Sequence, residues 1–116
     1  MESNKEHILR FRAVNRDVFL AIKNGIKKVE TRAATEKYQK IQKGDTLVFL
    51  CGKSSFKKRI INVEHFSSIG LLIKKYKPSA INPNVHSEED LKKMYYTYPR
   101  YKEKIKKFGI VAWKLG

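Results

Sequence analysis

Apolar and polar positions change their period several times along the chain, and each change predicts an element. Residues 7–13, His-Ile-Leu-Arg-Phe-Arg-Ala, alternate as a first strand does. Asn15 then stands where a helix cap is expected, with Val18, Phe19 and Ile22 on one helical face and Gly25 as the stop. Residues 28–33 are short and β-prone, and residues 38–43 lead into the turn signal Gly44-Asp45. The apolar run 46–51 predicts the next strand, and residues 52–55 turn the chain back into a long strand over 56–66. Residues 67–76 read as a short helix packed through Ile69, Leu72 and Ile73, and Pro78 and Pro83 bracket a loop. Ser87, with Asp90 three residues on, has the form of a capping box. The helix it opens carries Leu91, Met94 and Tyr95 and ends at Pro99. A last strand over 109–115 puts Val111, Trp113 and Leu115 on one face.

The order strand, helix, three strands, helices, strand predicts an α+β fold. Its expected form is a small, mostly antiparallel, partly open β-barrel with two to three flanking helices. A doubly wound sheet would need alternating crossover helices and a longer chain. The 116 residues suit one domain spanning 1–116, with 1–6 expected as a flexible N-terminus. No internal repeat or Gly/Ser linker divides it.

Composition narrows the classes of function. The apolar share of 41% is that of a globular protein, not a disordered one. No stretch approaches the roughly 20 apolar residues of a membrane span, and the opening Met1-Glu2-Ser3-Asn4-Lys5 is not a signal peptide. Cys51 is the single cysteine, so an internal disulfide is impossible and a reducing, cytoplasmic compartment is expected. The net charge of +15, from 26 Lys and Arg against 11 Asp and Glu, predicts a polyanionic partner, with nucleic acid foremost. The competing reading is a lysine-rich surface that serves solubility.

Within residues 25–32, strand alternation puts Lys28, Glu30 and Arg32 on one face and Val29 and Thr31 on the other. Lys27 sits just past the helix stop, where its side chain can swing into a cleft. An Arg can bind phosphate bidentately, a Lys supplies a point charge, and a Glu accepts from a base or sugar donor. An exposed ladder of charges is the alternative for the same residues, worth about 0.2–1 kcal/mol per pair.

Four stretches in order resemble the ASCH domain family of the PUA-like superfamily. Residues 25–32, Gly-Ile-Lys-Lys-Val-Glu-Thr-Arg, are similar to its Gly-x-Lys-x-x-Glu-x-Arg signature. Residues 41–49 are similar to its Ile-x-x-Gly-Asp-x-Ile-x-Phe segment. Residues 63–72, with Phe66-Ser67-Ser68 and Leu71-Leu72, resemble the end of its long strand. The fourth stretch runs from Asn82-Pro83 through Ser87-Glu88-Glu89, Tyr95-Tyr96 and Tyr98 to residues 109–112. The resemblance implies a PUA-like barrel with a cleft beside the first stretch. It also implies RNA-linked roles, namely RNA binding, ribonuclease activity or hydrolysis of N4-acetylcytidine.

In the amidohydrolase branch of that family, the Lys matches Lys27 and the Arg matches Arg32. The Thr falls on Glu30, and the acid falls near residues 82–84, where no carboxylate stands. Thr31 is one position off, which in a strand is the opposite face. The expected function is therefore an RNA-binding domain with a cleft lined by Lys27, Glu30 and Arg32 and a basic rim. A hydrolase acting on RNA or a modified nucleoside is the alternative, with Lys27 and Glu30 as its catalytic groups.

Further contacts to RNA or nucleotide are expected from Lys28, Lys57, Lys58, Arg59, Tyr98, Arg100 and Tyr101, where cations lie next to aromatic rings. A second basic run, Lys92, Lys93, Lys102, Lys104, Lys106 and Lys107, accompanies Tyr95 and Tyr96. Tyr95 and Trp113 are expected in the core. His7, His65 and His86 show neither zinc spacing nor acid–base pairing, His86 lying in a loop that could line the cleft. No metal, cofactor or membrane partner is expected, and the oligomeric state is left open.

Overall fold

The structure is a computed structural model that describes residues 4–116. Five strands form one curled sheet in the order β1-β3-β4-β5-β2. The strands are β1 Glu6–Arg10, β2 Val29–Ala33, β3 Thr46–Cys51, β4 Ser54–Phe66 and β5 Ile110–Leu115. β3 alternates as its sequence predicts, with Leu47, Phe49 and Cys51 buried. β1 runs parallel to β3, pairing Glu6 with Thr46 and Arg10 with Leu50, and the other pairings are antiparallel.

β4 is long enough to serve two partners. Its first half pairs with β3 and its second half with β5, and the register shifts between Ile60 and Asn62. A shift of this kind bends a strand and raises its local twist. Here it curls the sheet into a half-barrel. β1 and β2 remain the two unpaired edges. The fold is thus α+β, compatible with a partly open PUA-like barrel.

The helical complement is larger than two or three, because segments that read as loop or solvated charge coil wherever they can bury one side. The helices are α1 Arg16–Lys23, α2 Glu36–Gln39, α3 Ile69–Lys75, α4 Pro78–Ile81, α5 Glu88–Tyr96 and α6 Tyr101–Phe108. A short 3-10 turn over Ala13–Asn15 leads into α1, and Asn15 holds the cap position without a side-chain cap bond. Ser68 and Ser87 do cap, each hydroxyl accepting a backbone N–H from three residues on, Leu71 and Asp90. Residues 1–3 of the expected flexible N-terminus lie outside the described residues. Lys5 donates its backbone N–H to Asp45, and Glu6 opens β1.

Two apolar clusters sandwich β5. Leu9, Phe19, Leu47, Phe49, Ile60, Val111, Trp113 and Leu115 fill the inside of the curl. Ile69, Leu72, Leu91, Tyr95, Ile105, Ile110 and Ala112 form the second cluster under α3 to α6. Trp113 and Tyr95 are both fully buried, as expected. Each such Leu, Ile or Phe contributes about 1.5–3 kcal/mol of transfer free energy. Gly109 joins α6 to β5 at φ 77°, and a Cβ there would meet the Phe66 carbonyl oxygen at 2.4 Å. Only glycine fits that corner. No helix among the described residues is long and apolar enough to cross a membrane.

Candidate functional site

The site begins with the way α1 stops. Gly25 takes φ 76°, and the N–H groups of Ile26 and Lys27 both donate to the Ala21 carbonyl, at 2.9 and 3.0 Å. This tight reversal turns the Lys27 side chain inward and leaves Ile26 exposed. Lys27 Nζ donates to the Val29 carbonyl and to Glu30 Oε1, the latter at 3.1 Å. Glu30 Oε1 also accepts the Thr31 N–H at 2.9 Å, and Glu30 Oε2 lies 3.5 Å from Arg32 Nη2. Lys27, at 2% exposure, and Glu30, at 6%, are among the few buried charges of the chain.

Burial sets the electrostatics of this trio. It pushes the Lys27 amine below its ordinary value, against the upward pull of Glu30. Burial would also raise Glu30, but the charges of Lys27 and Arg32, with hydrogen bonds from Lys27 and the Thr31 N–H, outweigh it and hold the carboxyl down. Burial disfavours the Arg32 charge too, yet Glu30 and a hydrogen bond with Tyr38 keep it firmly protonated. Glu30 is thus a fixed anion between two cations.

Aromatic rings enclose the trio. The Arg32 guanidinium lies over Phe11 at 5.3 Å and over Tyr38 at 5.9 Å. Tyr95 and Tyr101 stack at 6.2 Å, and Tyr98 meets Tyr101 edge-on at 5.1 Å. The Thr31 hydroxyl bonds to the Tyr95 hydroxyl. Burial raises the pKa of Tyr95, Tyr98 and Tyr101, so all three remain neutral phenols. Arg12 sits over the Tyr98 ring at 5.7 Å.

These groups line one cavity of about 270 Å³ at the open seam between the edge strands β1 and β2. Arg10, Phe11, Arg12 and Asn15 close it on the β1 side, and Ile81, Asn82, Met94 and Pro99 come from α4, α5 and their loops. Four cations, Arg10, Arg12, Lys27 and Arg32, face it against one carboxylate, Glu30.

Of the residues expected from the sequence, Lys27, Glu30, Arg32, Tyr98 and Tyr101 converge here. Lys28 is exposed and outside the lining, although it shares the strand face of Glu30. Lys57, Lys58 and Arg59 lie on β4 opposite β3, and Lys57 pairs with Glu6 at 2.8 Å. Arg100 takes the left-handed conformation between α5 and α6 and reaches Glu103 instead. His86 is exposed and does not line the cleft. Thr31 lies on the strand face opposite Glu30, yet both reach the lining, because β2 is an edge strand covered on both sides. Asn82 lines the wall and holds the Asn84 N–H through its side-chain oxygen at 2.9 Å.

Sequence reasoning missed Arg10, Phe11, Arg12, Asn15 and Tyr38. Arg10-Phe11-Arg12 does carry a signal, a basic–aromatic–basic triplet at the end of a strand. Among the described residues no group of three or more His, Cys, Asp or Glu could hold a metal ion.

No protein-family model matches the chain, and no curated protein sequence matches it. Solved structures with a similar fold include the following two. The crystal structure of hypothetical protein PH0355 superposes with a TM-score of 0.81 at 28% identity, covering 95% of this chain and 96% of that one. The solution NMR structure of protein PF0455 from Pyrococcus furiosus gives a TM-score of 0.73 at 29% identity, covering 95% of this chain and 94% of that one. The half-barrel architecture therefore recurs at nearly full length in both.

Proposed function

We propose that the seam cleft holds one nucleotide of an RNA strand, and that the chain is an RNA-binding domain of the ASCH, PUA-like kind. The observation that carries this reading is the convergence of Lys27, Glu30 and Arg32 with four tyrosines in one cavity. Its volume of about 270 Å³ lies just below the usual range for drug-sized ligands, which suits a single base or nucleoside. A base stacked on the Tyr98 or Tyr101 ring gains about 1–3 kcal/mol. Glu30 Oε2 accepts an N–H from the base edge, and Arg12 and Arg10 at the β1 side meet the phosphates. Two of the four stretches similar to the ASCH family, residues 25–32 and the one that begins at Asn82, supply Lys27, Glu30, Arg32, Tyr95 and Tyr98 to the cleft. The single buried Cys51 fits a reducing cytoplasm.

The test is equilibrium binding of single-stranded RNA across a salt series. Wild-type affinity falls steeply with salt. Arg32→Gln combined with Tyr98→Leu weakens it by about tenfold or more at fixed salt, in line with the loss of one stacked base and one charged contact. Unchanged affinity in a variant with native circular dichroism sinks the reading.

A second reading rests on Glu30 being held ionised 3.1 Å from the Lys27 amine at the cavity wall. Such a carboxylate can orient water for attack on a modified nucleoside or RNA, and the Lys27 amine, whose pKa burial lowers, can take up the proton. Glu30 stands where the family's amidohydrolases have Thr, so a carboxylate acting on water replaces a hydroxyl nucleophile. Acylated nucleosides and labelled RNA incubated with wild type and Glu30→Gln decide it: turnover lost in the variant supports hydrolysis, and no turnover in either removes it.

A further inference from the structure

A second depression, of about 520 Å³, lies on the other side of the α5–α6 hairpin, between these helices and the start of α3. Lys92, Tyr96, Lys102 and Lys106 line it, with Ser68 and Glu88 at the α3 end. The hairpin therefore has two working faces. Tyr95 and Tyr101 point to the seam cleft, while their chain neighbours Tyr96 and Lys102 point to the groove.

We propose that this groove carries the sugar-phosphate backbone of the same RNA strand whose nucleotide enters the cleft. The proposal rests on the nucleotide reading of the cleft and adds a site of different residues. Charge complementarity favours it: three lysines face one carboxylate, and Glu88 is loosely engaged by Lys92 at 3.9 Å. Neither Lys102 nor Lys106 is within ion-pair distance of a carboxylate among the described residues. Tyr96 is 43% exposed, with Lys102 Nζ 5.7 Å from the centre of its ring. A cation beside an exposed ring suits a phosphate next to a stacked base. An acidic protein surface would find the lysines equally attractive; the groove's place beside the nucleotide cleft, across one hairpin, favours RNA.

Geometry allows one strand to use both sites. A helix is about 10–12 Å across, and a stacked strand advances about 3.4 Å per nucleotide. A strand passes around the hairpin and not through it, so at least about three nucleotides bridge it. The groove then adds to the protein's preference for an RNA strand over a free nucleotide.

The experiment compares a single-stranded RNA dodecamer containing all four bases with the four nucleoside monophosphates. The groove variant is Lys92→Gln, Lys102→Gln and Lys106→Gln together; the cleft variant is Arg32→Gln. The groove variant is expected to bind the dodecamer about tenfold or more weakly, with a salt slope shallower by about 2, and the monophosphates as wild type does. Arg32→Gln is expected to weaken both ligands. Wild-type affinity and slope in the groove variant, with Arg32→Gln still defective, overturn the groove and leave the cleft reading intact. The reverse pattern supports the groove as an RNA surface and removes the nucleotide reading of the cleft. Short polyglutamate that displaces the dodecamer at equal charge concentration overturns RNA in favour of an acidic protein partner.

Discussion

Residues 27–32 and the run Lys57-Lys58-Arg59 look alike as basic text and differ completely in three dimensions. The Lys27 and Glu30 side chains are 1% and 8% exposed, whereas those of Lys57 and Glu6, also an ion pair, are 61% and 54% exposed. Lys57 stands on β4, opposite Val48 on β3, with its side chain in water. β2 is an edge strand that α5 and α6 cover, so its charges lose water and must satisfy one another. At about 4 Å two charges interact with roughly 1 kcal/mol in water and roughly 4 kcal/mol at an effective dielectric of 20. Desolvation offsets most of that gain, but it also makes every partner indispensable. Charge content marked both segments; burial separates a site from a surface.

The largest test of this contrast removes one cation from each segment. Lys27→Met leaves Glu30 with only Arg32 at 3.5 Å and the Thr31 N–H and is expected to cost about 3–5 kcal/mol, while Lys57→Met changes stability by no more than about 1 kcal/mol. Urea denaturation reads both, and equal costs would end the distinction. Acid titration comes next. The folded pKa of Glu30 lies below its ordinary 4.5, so its stabilisation is present above that pH and lost as pH falls through the folded value. Glu64, held down by Lys75 and Tyr76 despite some burial, adds to the same limb. Glu30→Gln is expected to make the acid loss of thermal stability shallower, whereas Glu6→Gln on the exposed pair leaves it unchanged.

A smaller effect sharpens the picture of the wall. Thr31→Val leaves the Tyr95 hydroxyl buried and unpaired, at a cost of about 1–3 kcal/mol. Adding Tyr95→Phe is expected to recover most of it, which a double-mutant cycle measures. The smallest effect belongs to the exposed pair itself. The Lys57–Glu6 coupling is expected at about 0.2–1 kcal/mol in dilute buffer and near zero at about 1 M salt, where screening acts within roughly 3 Å.

Much of the frame was legible because local rules and tertiary packing agree there. β3 starts and stops at the residues its alternation predicts, and Gly25 ends α1 where its spacing says it must. α6 was not foreseen, although Tyr101, Ile105 and Phe108 have helical spacing; the lysines between them read as a solvated run. For the site, Lys27, Glu30 and Arg32 were legible because they are neighbours in sequence. Arg10, Phe11 and Arg12 were not, since their place depends on β1 pairing parallel to β3, a non-local contact that their basic–aromatic–basic pattern does not encode. Lys28 misled because alternation fixes a face but not how far a cavity extends along it.

The double pairing of β4 has a consequence for when the protein becomes competent. The β3–β4 hairpin joins neighbouring residues, Cys51 pairing with Ser54, and its closure costs little chain entropy. β2 instead waits for Ala33 to meet Ile110 near the far end of the chain. Contacts of such different range form at different times. On a ribosome the hairpin can zip while β5 is still being made, but the cleft cannot exist until residues 110–115 have emerged. Truncated synthesis products that end before β5 would therefore contain the hairpin segments yet lack the cleft.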